Sequence, residues 1–222
     1  IRDSDKAVVN AEIDILKELG VEFRTGVEVG KDVTLDALRA EGYKAFYLGI
    51  GASKGTSLGC KGEELPGVYT GIDFLREVNL GSKPAIGDKV AVIGGGLTGC
   101  EIAYELALQG KQPVIVEMKN DLIAQTGVCL ANSSYLREWF VWKKVPVYLE
   151  TTLQEVKDDS IVCKNASGKE ITIPCDSVIS SAGYIPNPLA PKGSNVSLVG
   201  DCNGVGNLRS VIWRAYEVAM KI

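Results

Sequence analysis

At 222 residues the chain is long enough for one large or two small domains with buried cores. Hydrophobic residues make up 45% and charged residues 23%, an ordinary balance for a globular protein, and no apolar run reaches the length of a membrane span. The net charge of −4 and a pI near 5.1 argue against a nucleic-acid or anionic-membrane surface, since either calls for a basic excess.

Residues 5–19 (DKAVVNAEIDILKEL) set Val8, Val9, Ile13, Leu16 and Leu19 close to helical spacing, with Gly20 placed to cap the end. VEFRTG reads as a short strand. Thr34 caps a helix through Leu38, which feeds KAFYLGIGA, read as a buried strand ending in a glycine turn. GEELPGVYT is loop-like and GIDFLREVN a short helix. LGSKPAIGD, rich in small residues, Gly and Pro, reads as a linker. KVAVIGGGLTGCEIAYELALQGKQPVIVEM then reads strand, glycine turn, helix, strand. Residues 131–144 form a helix in which Trp139, Phe140 and Trp142 are packing residues. From Val145 the pattern changes to short strands, PVYLET, LQEVKDD, SIVCKN and SGKEITIP. Turn signals at Asp158-Asp159 and Ser167-Gly168 make this an antiparallel meander. CDSVISSAG and SNVSLVGDC return to buried strands, and NLRSVIWRAYEVAMKI closes the chain as an amphipathic helix, with Trp213 and Tyr216 again read as packing. Strands alternating with helices and a late meander indicate an α/β fold with a Rossmann-like parallel sheet.

VAVIGGGLTGCE carries G-x-G-x-x-G as Gly94, Gly96 and Gly99. The first glycine allows the tight turn, the second lets backbone approach a pyrophosphate, and the third lets helix pack on strand. The helix from Leu97 aims free N–H groups and the positive end of its dipole at the phosphates. The next strand ends at Glu117, about twenty residues on, where an acid grips a ribose 2′-hydroxyl. The candidate nucleotide-binding residues are therefore Gly94, Gly95, Gly96, Leu97, Thr98, Gly99, Glu117 and Met118. A carboxylate at Glu117 repels a 2′-phosphate and so favours NAD(H) over NADP(H), although Lys119 stands close by. A lone glycine motif is weak; here the strand, helix, second strand and terminal acid all stand where the motif needs them.

The chain has no histidine, which removes the commonest general base and metal ligand. Hydride transfer needs neither, because the redox atoms belong to cofactors. The six cysteines form no C-x-x-C and no zinc or iron–sulfur spacing, so they read as reduced thiols in a cytoplasmic protein. Cys100 and Cys202 adjoin glycine motifs but read as small buried residues.

SLVGDC, with Gly200 and Asp201 ahead of the last helix, resembles the strand-Gly-Asp element of the two-dinucleotide-binding flavoprotein oxidoreductases. YLGIGAS, with Gly51 and Ala52, is similar to their crossing from an FAD domain to an NAD domain. SSAGYIPNP, with Gly183, Pro186 and Asn187, is similar to the return crossing. GGGLTGCEIAYELALQGK and GDCNGVGNLRSVIWRAYEVAMKI narrow the resemblance to the C-terminal region of the NADH-dependent 2-enoate and 2,4-dienoyl-CoA reductases. A likeness to the glutamate synthase small-subunit group is also present.

The resemblance implies an NAD(P)-binding domain over residues 83–182, inserted in an FAD-binding domain made of residues 1–82 and 183–222. Asp201 would accept from a ribityl hydroxyl, and the helix near Asn207 would face the flavin pyrimidine. No G-x-G-x-x-G precedes Gly94. The family's first FAD motif is therefore expected upstream, the FAD site is expected to be incomplete here, and the chain reads as a fragment. A flavin barrel with FMN and an iron–sulfur cluster would lie further upstream as its partner. The function implied is NADH-to-FAD electron input; the alternatives are a nucleotide-binding fragment without turnover and an oxidoreductase like the glutamate synthase small subunit.

Overall fold

The computed structural model describes residues 3–52, 54–125, 127–188 and 196–221. Residues 1–47 and 48–222 form two separate compact units.

In the first unit, α1 spans Asp3–Glu18 and α2 spans Leu35–Ala40. Thr34 caps α2 as expected, its Oγ1 accepting from the Ala37 N–H at 3.1 Å. Arg24 ties the intervening loop to the end of α2 through Glu41 at 2.9 Å and pairs with Glu22 within the loop at 2.8 Å. The apolar stripe of α1 is not buried: Val8, Val9, Leu16 and Leu19 are exposed. Two expected strands are corrected. Neither VEFRTG nor KAFYLGIGA pairs with another segment among the described residues, and Phe23, Tyr47 and Ile50 are exposed. A strand exists through its neighbour's N–H and C=O groups, so an apolar run without one stays irregular.

The second unit begins with β1 (Lys54–Gly55), β2 (Val68–Thr70), α3 (Gly71–Asn79), β3 (Lys89–Ile93), α4 (Leu97–Leu108) and β4 (Gln112–Val116). It continues with α5 (Leu130–Lys143), β5 (Val147–Tyr148), β6 (Thr152–Val156), β7 (Ser160–Lys164), β8 (Glu170–Pro174), β9 (Ser177–Ser180), β10 (Tyr184–Ile185) and α6 (Leu208–Ala219). Five of the strands make a parallel sheet in the order β2-β9-β3-β4-β5. The sheet therefore draws β2 from ahead of residue 83. β6, β7 and β8 form the antiparallel meander, and β1 pairs antiparallel with β10.

Alternate residues of the central strands face two cores. Val90, Val92, Ile115 and Ile179 pack with Cys100, Ile102, Ala103 and Leu106 of α4 and with Leu136, Trp139 and Phe140 of α5. Ala91, Ile93, Val114, Val116 and Val178 pack against Val156, Ile161, Cys163 and Ile173 of the meander. Cover on both faces is why these strands are apolar at every position rather than at every second one.

Further details depart from the sequence reading. Val147–Tyr148, expected to start the meander, is instead the parallel edge strand beside β4. GVYT, expected as loop, supplies β2. Trp142 is not a packing residue: it lies on the outer side of α5 at 71% exposure, with Lys143 Nζ 4.0 Å from its ring centroid, while Trp139 and Phe140 on the inner side are buried. Trp213 and Tyr216 of α6 are likewise exposed and pack edge-on against each other. Of SNVSLVGDC, Ser194 and Asn195 lie outside the described residues; Ser197–Val199 form no strand, and Gly200–Cys202 make a single 3₁₀ turn.

Candidate functional site

β3 delivers the chain to Gly94, whose φ of +108° suits glycine alone and whose N–H donates to Val116 O at 2.8 Å. Gly95 N–H donates to Glu117 Oε2 at 2.5 Å. Gly95 O accepts from Ile123 N–H at 2.7 Å and from the Cys100 thiol at 3.4 Å. Gly96 is the N-cap of α4 and brings no side chain to close the helix end. A Cβ on Gly99 would collide with Gly94 O, so helix and turn are packed backbone to backbone. The first turn of α4 itself holds no acid.

Glu117 is buried at 7% exposure, and its Oε1 accepts from Lys119 N–H at 2.7 Å. Its carboxylate thus sits beneath the glycine turn, each oxygen accepting one backbone N–H among the described residues. Met118 is 70% exposed.

A cleft of about 990 Å³ opens at the C-terminal ends of the strands. Gly96, Leu97, Thr98 and Gly99 line it, and so do Gly183 and Asp201. Residues read from three separate stretches of sequence therefore meet in one place. Gly94, Gly95, Glu117, Met118 and Gly200 do not line the cleft, and neither do Gly51 and Ala52; Gly55, a few residues later, does. Gly55 stands opposite Tyr184 in the β1–β10 pair, and Thr56 N–H donates to Gly183 O at 3.0 Å. The chain shortly after Gly51 and Ala52 is thus held beside the Gly183 segment.

Four helices begin at this cleft: α3 at Gly71, α4 at Leu97, α5 beside Cys129 and Asn132, and α6 at Asn207 and Leu208. Among the described lining residues only Asp201 and Arg214 are charged. α6 is fixed by a capping box: Asn207 Oδ1 accepts from Ser210 N–H at 3.0 Å, and Ser210 Oγ accepts from Asn207 N–H at 2.9 Å. Asp201 Oδ1 accepts from Gly206 N–H at 3.0 Å and Arg214 donates to Gly204 O at 3.0 Å, which pins the loop leading into that helix.

Sequence reasoning missed Ser180, Ser181 and Arg214. All line the cleft, and the first two carry buried hydroxyls without a partner among the described residues. Their only signal was a pair of small polar residues closing an apolar strand. Cys100 and Cys202 are buried as expected; burial, and then Glu117, push the Cys100 thiol up to about 12.

Comparison with known proteins places this geometry. The family model described as pyridine nucleotide-disulphide oxidoreductase matches residues 18–204. The chain is 35% identical to a cinnamate reductase of Clostridium sporogenes, covering 100% of this chain and 32% of the relative. It is 30% identical to a glutamate synthase [NADPH] small chain of Halomonas elongata, covering 90% of this chain and 47% of the relative. It therefore spans less than half the length of either. A solved 2-naphthoyl-CoA reductase superposes with a TM-score of 0.77 over 93% of this chain and 30% of its own, at 24% identity, which shows a shared fold. The chain belongs to the pyridine nucleotide-disulphide oxidoreductase family.

Proposed function

We propose that this chain is the NADH-binding electron-input region of an FAD-dependent oxidoreductase of the enoate and dienoyl-CoA reductase type. The observation that carries the reading is the single cleft shared by Gly96–Gly99 and by Asp201 with the start of α6. The organisation proposed keeps residues 83–182 as the body of the NAD domain, with β2 joined to its sheet and α3 following it. The rest of residues 1–82, and residues 183–222, belong to the FAD domain.

The residues present fit a dinucleotide. At Gly96 a Cβ would meet only the tip of the Gln125 side chain, at 3.3 Å, so the backbone there stands open to a ligand. The N–H groups of Leu97, Thr98 and Gly99 would hold the pyrophosphate, and Glu117 the adenosine ribose. Asp201 and the α6 N-terminus would hold the ribityl chain and pyrimidine of FAD. When bound, NADH supplies a hydride and FAD accepts it. The chain's part is to orient the two rings and exclude water, for which no side-chain acid or base is needed.

The test is a fluorescence titration of the purified chain with NADH and NADPH, together with its absorbance spectrum. Tighter binding of NADH than of NADPH is expected, and flavin absorbance would support the FAD half of the reading. Failure to bind either nucleotide would overturn the reading. A second reading, nucleotide binding without turnover, is favoured by the presence of only one G-x-G-x-x-G turn in the sequence. It predicts a colourless protein that still binds NADH. The parent chain proposed carries an upstream flavin barrel with FMN and an iron–sulfur cluster.

A further inference from the structure

Resting on the nucleotide reading of the cleft, we infer that Ser180 and Ser181 are positioning residues for the nicotinamide-riboside half of the dinucleotide. β9 lies on one side of β3 and β4 on the other. A pyrophosphate at the glycine turn above β3 therefore divides its ligand, with one half over Glu117 at the end of β4 and the other over Ser180 and Ser181 at the end of β9.

The two serines are unusual within this cleft. Ser180 is 7% exposed. Both Oγ atoms are buried and without a hydrogen-bond partner among the described residues. A buried hydroxyl without a partner costs free energy, so apolar replacement at these positions would favour the folded chain unless something supplies the missing bond. The surroundings of Ser181 also make room for it. A Cβ on Gly71 would stand 3.0 Å from Ser181 Oγ, and one on Gly99 would stand 3.1 Å from Ser181 Cβ. The first residue of α3 and the third of α4 thus both lack side chains where they flank this serine. Both serines line the cleft, Ser181 between the starts of two helices, and a hop between staggered χ1 wells redirects either oxygen. The ligand chemistry they suit is a set of neutral hydrogen-bonding groups, the ribose hydroxyls and carboxamide, rather than a second charge.

The experiment compares the 222-residue chain with its S180A, S181A and double variants, titrated with NADH and separately with ADP, which keeps the adenosine and pyrophosphate but lacks the second half. The double variant is expected to weaken NADH about tenfold and leave ADP within twofold. Its melting temperature without ligand is expected to stay level or rise, because an unpaired hydroxyl has been removed. Unchanged NADH affinity in the double variant would overturn the serine assignment alone. Equal losses for NADH and ADP with a lowered melting temperature would make the serines structural and overturn it too. A wild-type chain that binds neither ligand would overturn the nucleotide reading, and the serine assignment with it.

Discussion

The Tyr184 hydroxyl donates to Thr98 Oγ1 at 3.1 Å, so the return crossing is tied to the first turn of the helix that faces the cleft. β10, which carries Tyr184, is in turn paired with β1. One hydrogen bond thus links the strand pair of the crossings to the glycine turn. Replacing Tyr184 with Phe keeps the ring and removes the donor. We expect a loss of about 0.5–1.5 kcal/mol in urea unfolding and a weakening of NADH binding of a few-fold. Unchanged values in both measurements would show that the bond does not hold α4 in place.

The glycines of the turn should separate into two classes. Gly99→Ala puts a methyl group into Gly94 O, where neither backbone can yield, and should destabilise the chain by roughly 1–3 kcal/mol or more. Gly96→Ala meets only the flexible end of Gln125 and should fold normally. It should nevertheless lose most NADH affinity, because the methyl group occupies the approach to the pyrophosphate. Circular dichroism melts paired with NADH titration check both, and a Gly96→Ala chain that binds NADH like wild type would move the phosphates elsewhere.

Glu117→Gln tests the structural role of Glu117 together with its proposed role at the ribose. Both carboxylate oxygens accept backbone N–H groups, from Gly95 and Lys119. Glutamine must turn an amide donor toward one of them. The expected cost is about 1–3 kcal/mol of stability by denaturant titration. Loss of the negative charge should also narrow the preference for NADH over NADPH, read as the ratio of the two dissociation constants.

Stability should fall in alkali. Burial pushes Cys100 to about 12 and Cys163 and Cys175 to about 11, from an ordinary 9.0. Above about pH 9 the unfolded chain releases these protons while the native chain keeps them. The unfolded state is then favoured as pH rises, until the native thiols also ionise near 11–12. Each thiol contributes a decline of up to about 1.4 kcal/mol per pH unit across that window. Urea midpoints at pH 8 and pH 10 measure the slope, and Cys100→Ala should make it shallower.

What the sequence made legible was whatever is decided locally. The run from Val90 to Glu117 reads correctly because a buried strand, a glycine turn and an apolar helix follow one another without a gap. The meander reads correctly from Thr152 to Pro174 because its turns carry Asp and Gly. The errors arise where a neighbour decides. Val147–Tyr148 and Val68–Thr70 are too short to show a period, and only pairing with Ile115–Val116 and with Val178–Ser180 makes them strands. KAFYLGIGA has the composition of a buried strand and lacks the pairing. In the cleft, Gly96 and Gly99 could be named in advance because backbone geometry demands glycine there, Thr98 because it lies between them in the motif, and Gly183 and Asp201 through the family resemblance. Ser180, Ser181 and Arg214 could not, since small polar and basic residues occur at many strand and helix ends and only the third dimension brings these into one cleft.

The order of the sheet has a consequence for how the chain is made. Val178 stands between Val68 and Ala91, and Ser181, next after β9, donates to Ile93 O and lies against Gly94. The middle of this half of the sheet is therefore the last of its strands to leave the ribosome, after α5 and the whole meander. A nascent chain halted at Asp176 has its glycine turn complete in covalent terms, but it lacks the strand against which the turn sets. Such a truncated chain is expected to capture no nucleotide, and occupancy of the cleft then reports that synthesis has passed β9.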